Sequence, residues 1–245
     1  ALRDSCNYFF YTIGHDLGID TLGEYAHALG LGVSTGIELV ETTGNMSNAA
    51  NHMDYAGSEW RIGDTLQAAI GQSDSVFTPL QLAEYCAAVA NNGERHSASI
   101  LKSIRNYDYS EKVYERQDEV LSTVESPQYN WDAIHEGMKE VINSPLNETN
   151  YLNFYDCAVT VAGKTGTAQK GEGIKNDGLF ICYAPYLKEL WLSDKVDPYQ
   201  FIAAMDSYLW LPIASVGFIA RQIVDVYLNI RSYSNTSESE MSLLK

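Results

Sequence analysis

Three short apolar runs late in the chain constrain its fold more than any other feature. Cys157 to Thr167 (CAVTVAGKTGT), Leu179 to Ala184 (LFICYA) and Tyr199 to Met205 (YQFIAAM) are rich in β-formers and separated by turn-rich segments, the pattern of antiparallel strands. Segments of helical period flank them. The strongest spans Thr78 to Asn92: Thr78 is a good N-cap, Pro79 suits the first helical position and Gln81 stands where a capping box needs it. Phe77 and Leu82 occupy the staple positions, Gly93 supplies a left-handed stop, and Leu82, Cys86 and Val89 share one face. A second helix is expected from Asn130, with Ile134, Met138, Val141 and Ile142 as its buried stripe. A third is expected after Pro212, with Ile213, Val216, Ile219, Ile223, Val226 and Ile230 at helical spacing. Between about Gly30 and Asp64 the sequence predicts loops with short elements. Helices, a meander of strands and a closing helix predict an α+β fold, an antiparallel sheet with flanking helices.

A chain of 245 residues with 45% hydrophobic and 20% charged residues has the composition of a globular domain, which excludes a disordered or fibrous one. Acidic residues outnumber basic ones 32 to 16, a net charge of −16 that argues against nucleic acid and against docking on anionic lipid. No run approaches the roughly 18 apolar residues of a membrane span. The richest, Leu209 to Ala220, is broken by Pro212, Ser215 and Gly217. No signal-peptide pattern opens the sequence, and Ala1-Leu2-Arg3 leads straight into foldable sequence. The chain is therefore expected to be a piece of a longer protein, with any anchoring segment upstream. Residues 1–231 show no repeat or linker, and the Ser/Glu-rich residues 232–245 read as a flexible tail. Cys6, Cys86, Cys157 and Cys182 stand far apart and read as structural thiols. The five His show no ligand spacing, so no metal is expected; no Gly-rich stretch ends as a phosphate loop does, and no cofactor is expected.

Lys164-Thr165-Gly166-Thr167 closes the first strand-like run. It sets an ammonium, two hydroxyls and a position without a side chain along a strand edge, where a carboxylate can be held and a ligand backbone can approach closely. Chance yields about 0.04 copies of Lys-Thr-Gly in such a chain, so the motif stands above noise. Ser5-x-Asn7 is weaker, since chance yields about one. Together they are two of the three signatures of penicillin-interacting serine enzymes. His135 and Glu136 are neighbours on a predicted helix, point in different directions and read as structural. Gly171-Glu172-Gly173 reads as a hairpin turn.

Longer blocks make the resemblance specific. Ser5-Cys6-Asn7 is followed by Tyr8-Phe9-Phe10-Tyr11, then Gly36-Ile37-Glu38-Leu39, Ala69-Ile70-Gly71-Gln72 and Thr78 to Ala83. Ala90-Asn91-Asn92-Gly93, His135 to Met138, Val161 to Gln169 and Tyr183-Ala184-Pro185 complete the series. In this order they resemble the C-terminal part of the transpeptidase domain of class B penicillin-binding proteins, over nearly the whole chain. The resemblance implies a penicillin-binding-protein/β-lactamase-like fold and acyl transfer on peptidoglycan stem peptides ending in D-Ala-D-Ala. In that chemistry a serine acyl-enzyme forms a crosslink, and β-lactams acylate the same serine. It implies that Ser5 relays protons, that Asn7 holds the donor's acyl amide and that Lys164 biases Ser5 electrostatically. Thr165 and Thr167 would bind the donor carboxylate beside Gly166, with the Thr167 N–H in the oxyanion hole. Implied partners are the stem peptide, β-lactams and other cell-wall synthesis proteins, on the extracytoplasmic face of the cell membrane. A β-lactam sensor, a β-lactamase relative or a non-catalytic scaffold of a cell-wall synthesis complex stand as alternatives.

The family's third signature, Ser-x-x-Lys, carries the nucleophile and precedes Ser-x-Asn. Only four residues precede Ser5, and the two strings present, Ser99 to Lys102 and Ser242 to Lys245, follow it. The nucleophile is thus expected outside this chain, which alone would be inactive. Surfaces that upstream elements cover in the family are expected to be partly exposed, an association hazard.

Overall fold

The computed structural model describes residues 1–170, 173–184 and 186, and the backbone of residues 202–207. The chain forms two compact units, Ser5–His135 with Ala1, and Glu136 onward with Leu2–Asp4. Each is described by itself. The boundary falls inside a helix, where no change of composition marks it.

The first unit opens with α1 (Asn7–Ala28), interrupted at Gly18, whose φ of 76° and ψ of 162° are not helical. Short helices α2 (His52–Ala56) and α3 (Ile62–Ala68) follow within and just after the segment expected to be loops with short elements. Helix α4 (Pro79–Ala90) matches its sequence signature closely. Gly93, at φ 88°, takes the left-handed turn beyond it, and its N–H donates to the Ala88 carbonyl at 2.7 Å. Two small antiparallel sheets complete the unit: β1 (Glu94–His96) pairs with β4 (Val120–Thr123), and β2 (Ser103–Arg105) with β3 (Lys112–Glu115). Strands of three or four residues are too short for a period-two pattern, so the sequence did not announce them.

Gln81 does more than close the cap. Its side-chain oxygen accepts from the Thr78 N–H at 3.0 Å, while Thr78 Oγ1 accepts from the Gln81 N–H at 3.2 Å. Its amide nitrogen donates to the carbonyls of Val33 (2.7 Å) and Thr43 (2.8 Å). The side chain is fully buried, so one amide caps a helix and ties down two loop strands distant in sequence. Three residues on, Glu84 and Arg95 form a buried ion pair at 3.2 Å, and Arg95 also donates to the Ser34 carbonyl. Burial pushes the Glu84 carboxyl up to about 7 against the pull of Arg95, with Glu41 adding to the rise.

In the second unit, α5 (Gln128–Asn143) continues from His135, and α6 (Glu148–Phe154) follows. The predicted stripe of α5 is present: Met138, Val141 and Ile142 are buried and Ile134 is partly so. Three antiparallel strands, β5 (Ala162–Ala168), β6 (Asp177–Tyr183) and β7 (Ile202–Ser207), lie in the order β5-β6-β7. Val141, Ile142, Phe154, Val161, Phe180, Cys182 and Ala184 form the core, with the Phe154 and Phe180 rings stacked at 5.9 Å. The strand expected over Cys157–Thr167 begins only at Ala162. Residues 157–161 leave α6 irregularly because Cys157, Val159 and Val161 fill that core instead of pairing. The α+β fold class with antiparallel sheets is as expected. The helix expected after Pro212 and the tail 232–245 lie outside the described residues, as do Tyr199 to Phe201 of the last expected strand.

Two stability measurements test the first unit. Gln81→Met keeps the volume but strands two carbonyls and an N–H, and urea unfolding should show a loss of about 3 kcal/mol. Between pH 4.5 and about 7 the folded chain holds a proton on Glu84 that the unfolded chain has released. This group therefore stabilises the fold fully below pH 4.5, and the contribution is lost as pH rises through 7. Glu84→Gln should lose less stability than the wild type between pH 5 and pH 8 in the same assay.

Candidate active site

Strand β5 carries Lys164, Thr165, Gly166 and Thr167, opposite Ile181, Phe180, Leu179 and Gly178 of β6. Directly opposed residues share a face, and successive ones alternate. Thr165 thus lies on the face of buried Phe180, with Thr167 on the same side, while Lys164 and Gly166 lie on the opposite face with Ile181 and Leu179. Among the described residues β5 has one neighbour, and no strand pairs with its other edge.

Several contacts hold this strand. Asn143 of α5 donates to the Val161 carbonyl at 2.8 Å, just ahead of β5. At Gly163 a Cβ would stand 2.6 Å from the Ile181 carbonyl oxygen, so the absence of a side chain allows the two strands to close up directly before the lysine. At the far end Lys170 pairs with Asp177 at 2.6 Å. Lys164 is half-buried and donates to the Thr165 carbonyl at 2.7 Å. Burial lowers the proton affinity of its ammonium. Next on its face is Gly166, a position without a side chain.

Ser5 and Asn7 belong to the first unit. Ser5 is exposed and takes a φ of 47°, in the left-handed region that a non-glycine residue seldom enters. Asn7, also exposed, is the first residue of α1.

Of the two in-chain Ser-x-x-Lys strings, Ser242 to Lys245 lies outside the described residues. Ser99 sits between β1 and β2, in neither strand. Its hydroxyl donates to the Glu38 carboxylate, which also accepts from the Ile100 N–H at 3.1 Å. The Ser99 hydroxyl leads the hydrogen bonds that hold Glu38 down at about 2. The partner of Ser99 is thus an acid that accepts, not a base that activates, and Glu38 of the Gly36–Leu39 block serves as a loop clamp. His135 Nε2 donates to the Val89 carbonyl at 2.7 Å, and Glu136 accepts from Lys139 (2.7 Å) and from the Tyr186 hydroxyl (2.9 Å). Both are structural, as read. Among the described residues, Cys6, Cys86, Cys157 and Cys182 form no disulfide. Among the described residues no group of three His, Cys, Asp or Glu could hold a metal, and no helix is long and apolar enough to cross a membrane.

A lysine and two threonines on a strand with no second strand partner among the described residues, on an α+β frame, make a candidate ligand site. Known proteins say whose. Residues 1–196 match the penicillin binding protein transpeptidase domain, and the chain belongs to that family, in agreement with the class B resemblance. Peptidoglycan D,D-transpeptidase MrdA of Haemophilus influenzae is 29% identical over 94% of this chain, which spans 36% of that protein. Penicillin-binding protein 2B of Streptococcus pneumoniae strain R6 superposes with a TM-score of 0.75 at 25% identity, covering 94% of this chain and 38% of that one. A complex between penicillin-binding protein 2 and MreC from Helicobacter pylori contains a chain that matches with a TM-score of 0.75 at 22% identity, over 94% of this chain and 39% of that one. The chain thus spans little more than a third of these relatives.

Lys164→Met tests the burial of the ammonium. The variant should raise the midpoint of thermal unfolding by about 2 °C at pH 7. Because the depressed lysine binds fewer protons folded than unfolded, the wild type should recover part of that difference as pH rises towards 10.5.

Proposed function

We propose that this chain is the donor-binding part of a peptidoglycan D,D-transpeptidase, and that β5 receives the stem peptide's D-Ala-D-Ala end. The observation that carries this reading is the Lys164–Thr167 run on a strand whose second edge takes no strand partner among the described residues. An extended peptide or a β-lactam amide can add to such an edge through its main chain.

In this reading Thr165 and Thr167 hold the donor carboxylate by their hydroxyls, and Gly166 leaves room for the ligand backbone. The Thr167 N–H stabilises the tetrahedral oxyanion, a contribution often worth about 3 kcal/mol. Asn7 holds the acyl amide. The family resemblance has Lys164 bias Ser5 electrostatically, and its lowered proton affinity fits a group that shares in proton traffic. Ser5 passes the proton between the nucleophile and the leaving amine. The nucleophile is the serine of a Ser-x-x-Lys segment, which the family's order puts ahead of Ser5. Acylation forms the ester and expels D-Ala; attack by an amine on a neighbouring stem peptide forms the crosslink and frees the serine. The parent works on the extracytoplasmic face of the membrane with other cell-wall synthesis proteins, and the complex of the Helicobacter pylori relative with MreC supports such partnership.

Intact mass after incubation with benzylpenicillin tests this. The chain extended upstream in its own gene should gain one covalent adduct, while residues 1–245 alone should gain none. An adduct on the short chain would move the nucleophile within it; acylation of neither would overturn the catalytic reading in favour of a scaffold.

A further inference from the structure

The first unit holds another set of reactive side chains, apart from both motifs. Helix α2 ends at Gly57, which takes a left-handed turn, and the next residue, Ser58, comes back to the helix's first residue, His52. The His52 ring is buried, only 4% exposed. Its Nδ1 lies 2.5 Å from Asp74 Oδ2, and its Nε2 lies 3.3 Å from Ser58 Oγ. An ionised carboxylate can only accept, so Asp74 takes the Nδ1–H and leaves the Nε2 lone pair facing the Ser58 hydroxyl.

The surroundings fix this arrangement. Trp60 stands edge-on to the imidazole at 5.1 Å, and its indole N–H donates to Thr65 Oγ1 at 3.0 Å. Asn45 Nδ2 donates to the Asp74 carbonyl at 2.8 Å. Asp64, which accepts from the Arg61 N–H at 2.7 Å, brings a carboxylate oxygen to 3.7 Å from Nε2. Ser58 itself is exposed. A hydroxyl open to solvent, a buried base behind it and an acid behind the base in the matching tautomer are the parts of an activated nucleophile.

We propose that Ser58, His52 and Asp74 form a nucleophilic triad that takes acyl groups from small activated esters. Ser58 Oγ adds to the ester carbonyl carbon while His52 Nε2 accepts the hydroxyl proton. The intermediate collapses, the carbon–oxygen bond to the leaving group breaks, and the leaving oxygen receives that proton. Water then attacks the acyl-serine, giving a proton to His52, which returns it to Ser58 Oγ as the carboxylic acid departs. The proposal is independent of the transpeptidase reading, since neither Ser-x-Asn nor Lys-Thr-Gly takes part.

The test uses the 245-residue chain, a fluorophosphonate probe and p-nitrophenyl acetate. Peptide mapping should place one phosphonate on Ser58, and Ser58→Ala should abolish it without shifting the thermal midpoint. Asp74→Asn should slow labelling and ester turnover by about 100-fold, as loss of the orienting acid does. His52→Gln should abolish both, with circular dichroism used to verify its fold. Labelling spread over many exposed serines, labelling unaffected by Ser58→Ala, or none at all would overturn the triad and leave His52 as a structural clasp between α2 and Asp74.

Discussion

The candidate active site depends on one constraint: β5 is pinned along one edge by β6, while among the described residues no strand pairs with the other. Pairing with β6 from Ala162 to Ala168, closed tightly at Gly163, sets the register, and Phe180 opposite Thr165 anchors that face in the core with Phe154 and Ile142. Asn143 holds the residue before the strand. Well-packed neighbours hold the strand, and among the described residues no strand pairs with its far edge, which is where the proposed peptide would add. A half-buried lysine next to a glycine follows from the same alternation, which sends Lys164 and Gly166 to one face and the threonines to the other.

The first unit is organised by polar groups in its interior. Gln81 caps α4 and grips the loops at Val33 and Thr43, and the Glu84–Arg95 pair reaches the loop again through Ser34. Acids in and just after the Gly36–Leu39 block gather N–H and hydroxyl groups: Glu38 accepts from the Ile100 N–H and the Ser99 hydroxyl, and Glu41 from the Thr35 N–H and the Ser34 hydroxyl. Long loops supply few apolar side chains, so buried amides and carboxylates take over the task of specifying their course.

Several of these features were legible beforehand and others were not. Helix α4 was clear because its capping box, N1 proline and terminal glycine are local and redundant, and β5 was found through its motif. The strand's start was misplaced because Cys157, Val159 and Val161 are β-formers used as core filler, and an apolar run alone does not say whether it pairs or packs. Gln81 was seen as a cap, but its other two partners lie 48 and 38 residues away, beyond any local pattern. Glu84 lies on the buried side of α4, where a hydrophobic stripe was sought.

The sequence by itself determined the family, the α+β class, the Lys164–Thr167 strand and the net acidity of the chain. Each rests on residue type at fixed short spacing, which covalent geometry carries intact into the fold. Tertiary structure alone decided which edge of β5 pairs with β6, that Ser99 is tied to an acid, and that Ser58, His52 and Asp74 meet. Those outcomes depend on distances between residues far apart in the chain, and packing and loop closure set such distances where sequence spacing does not.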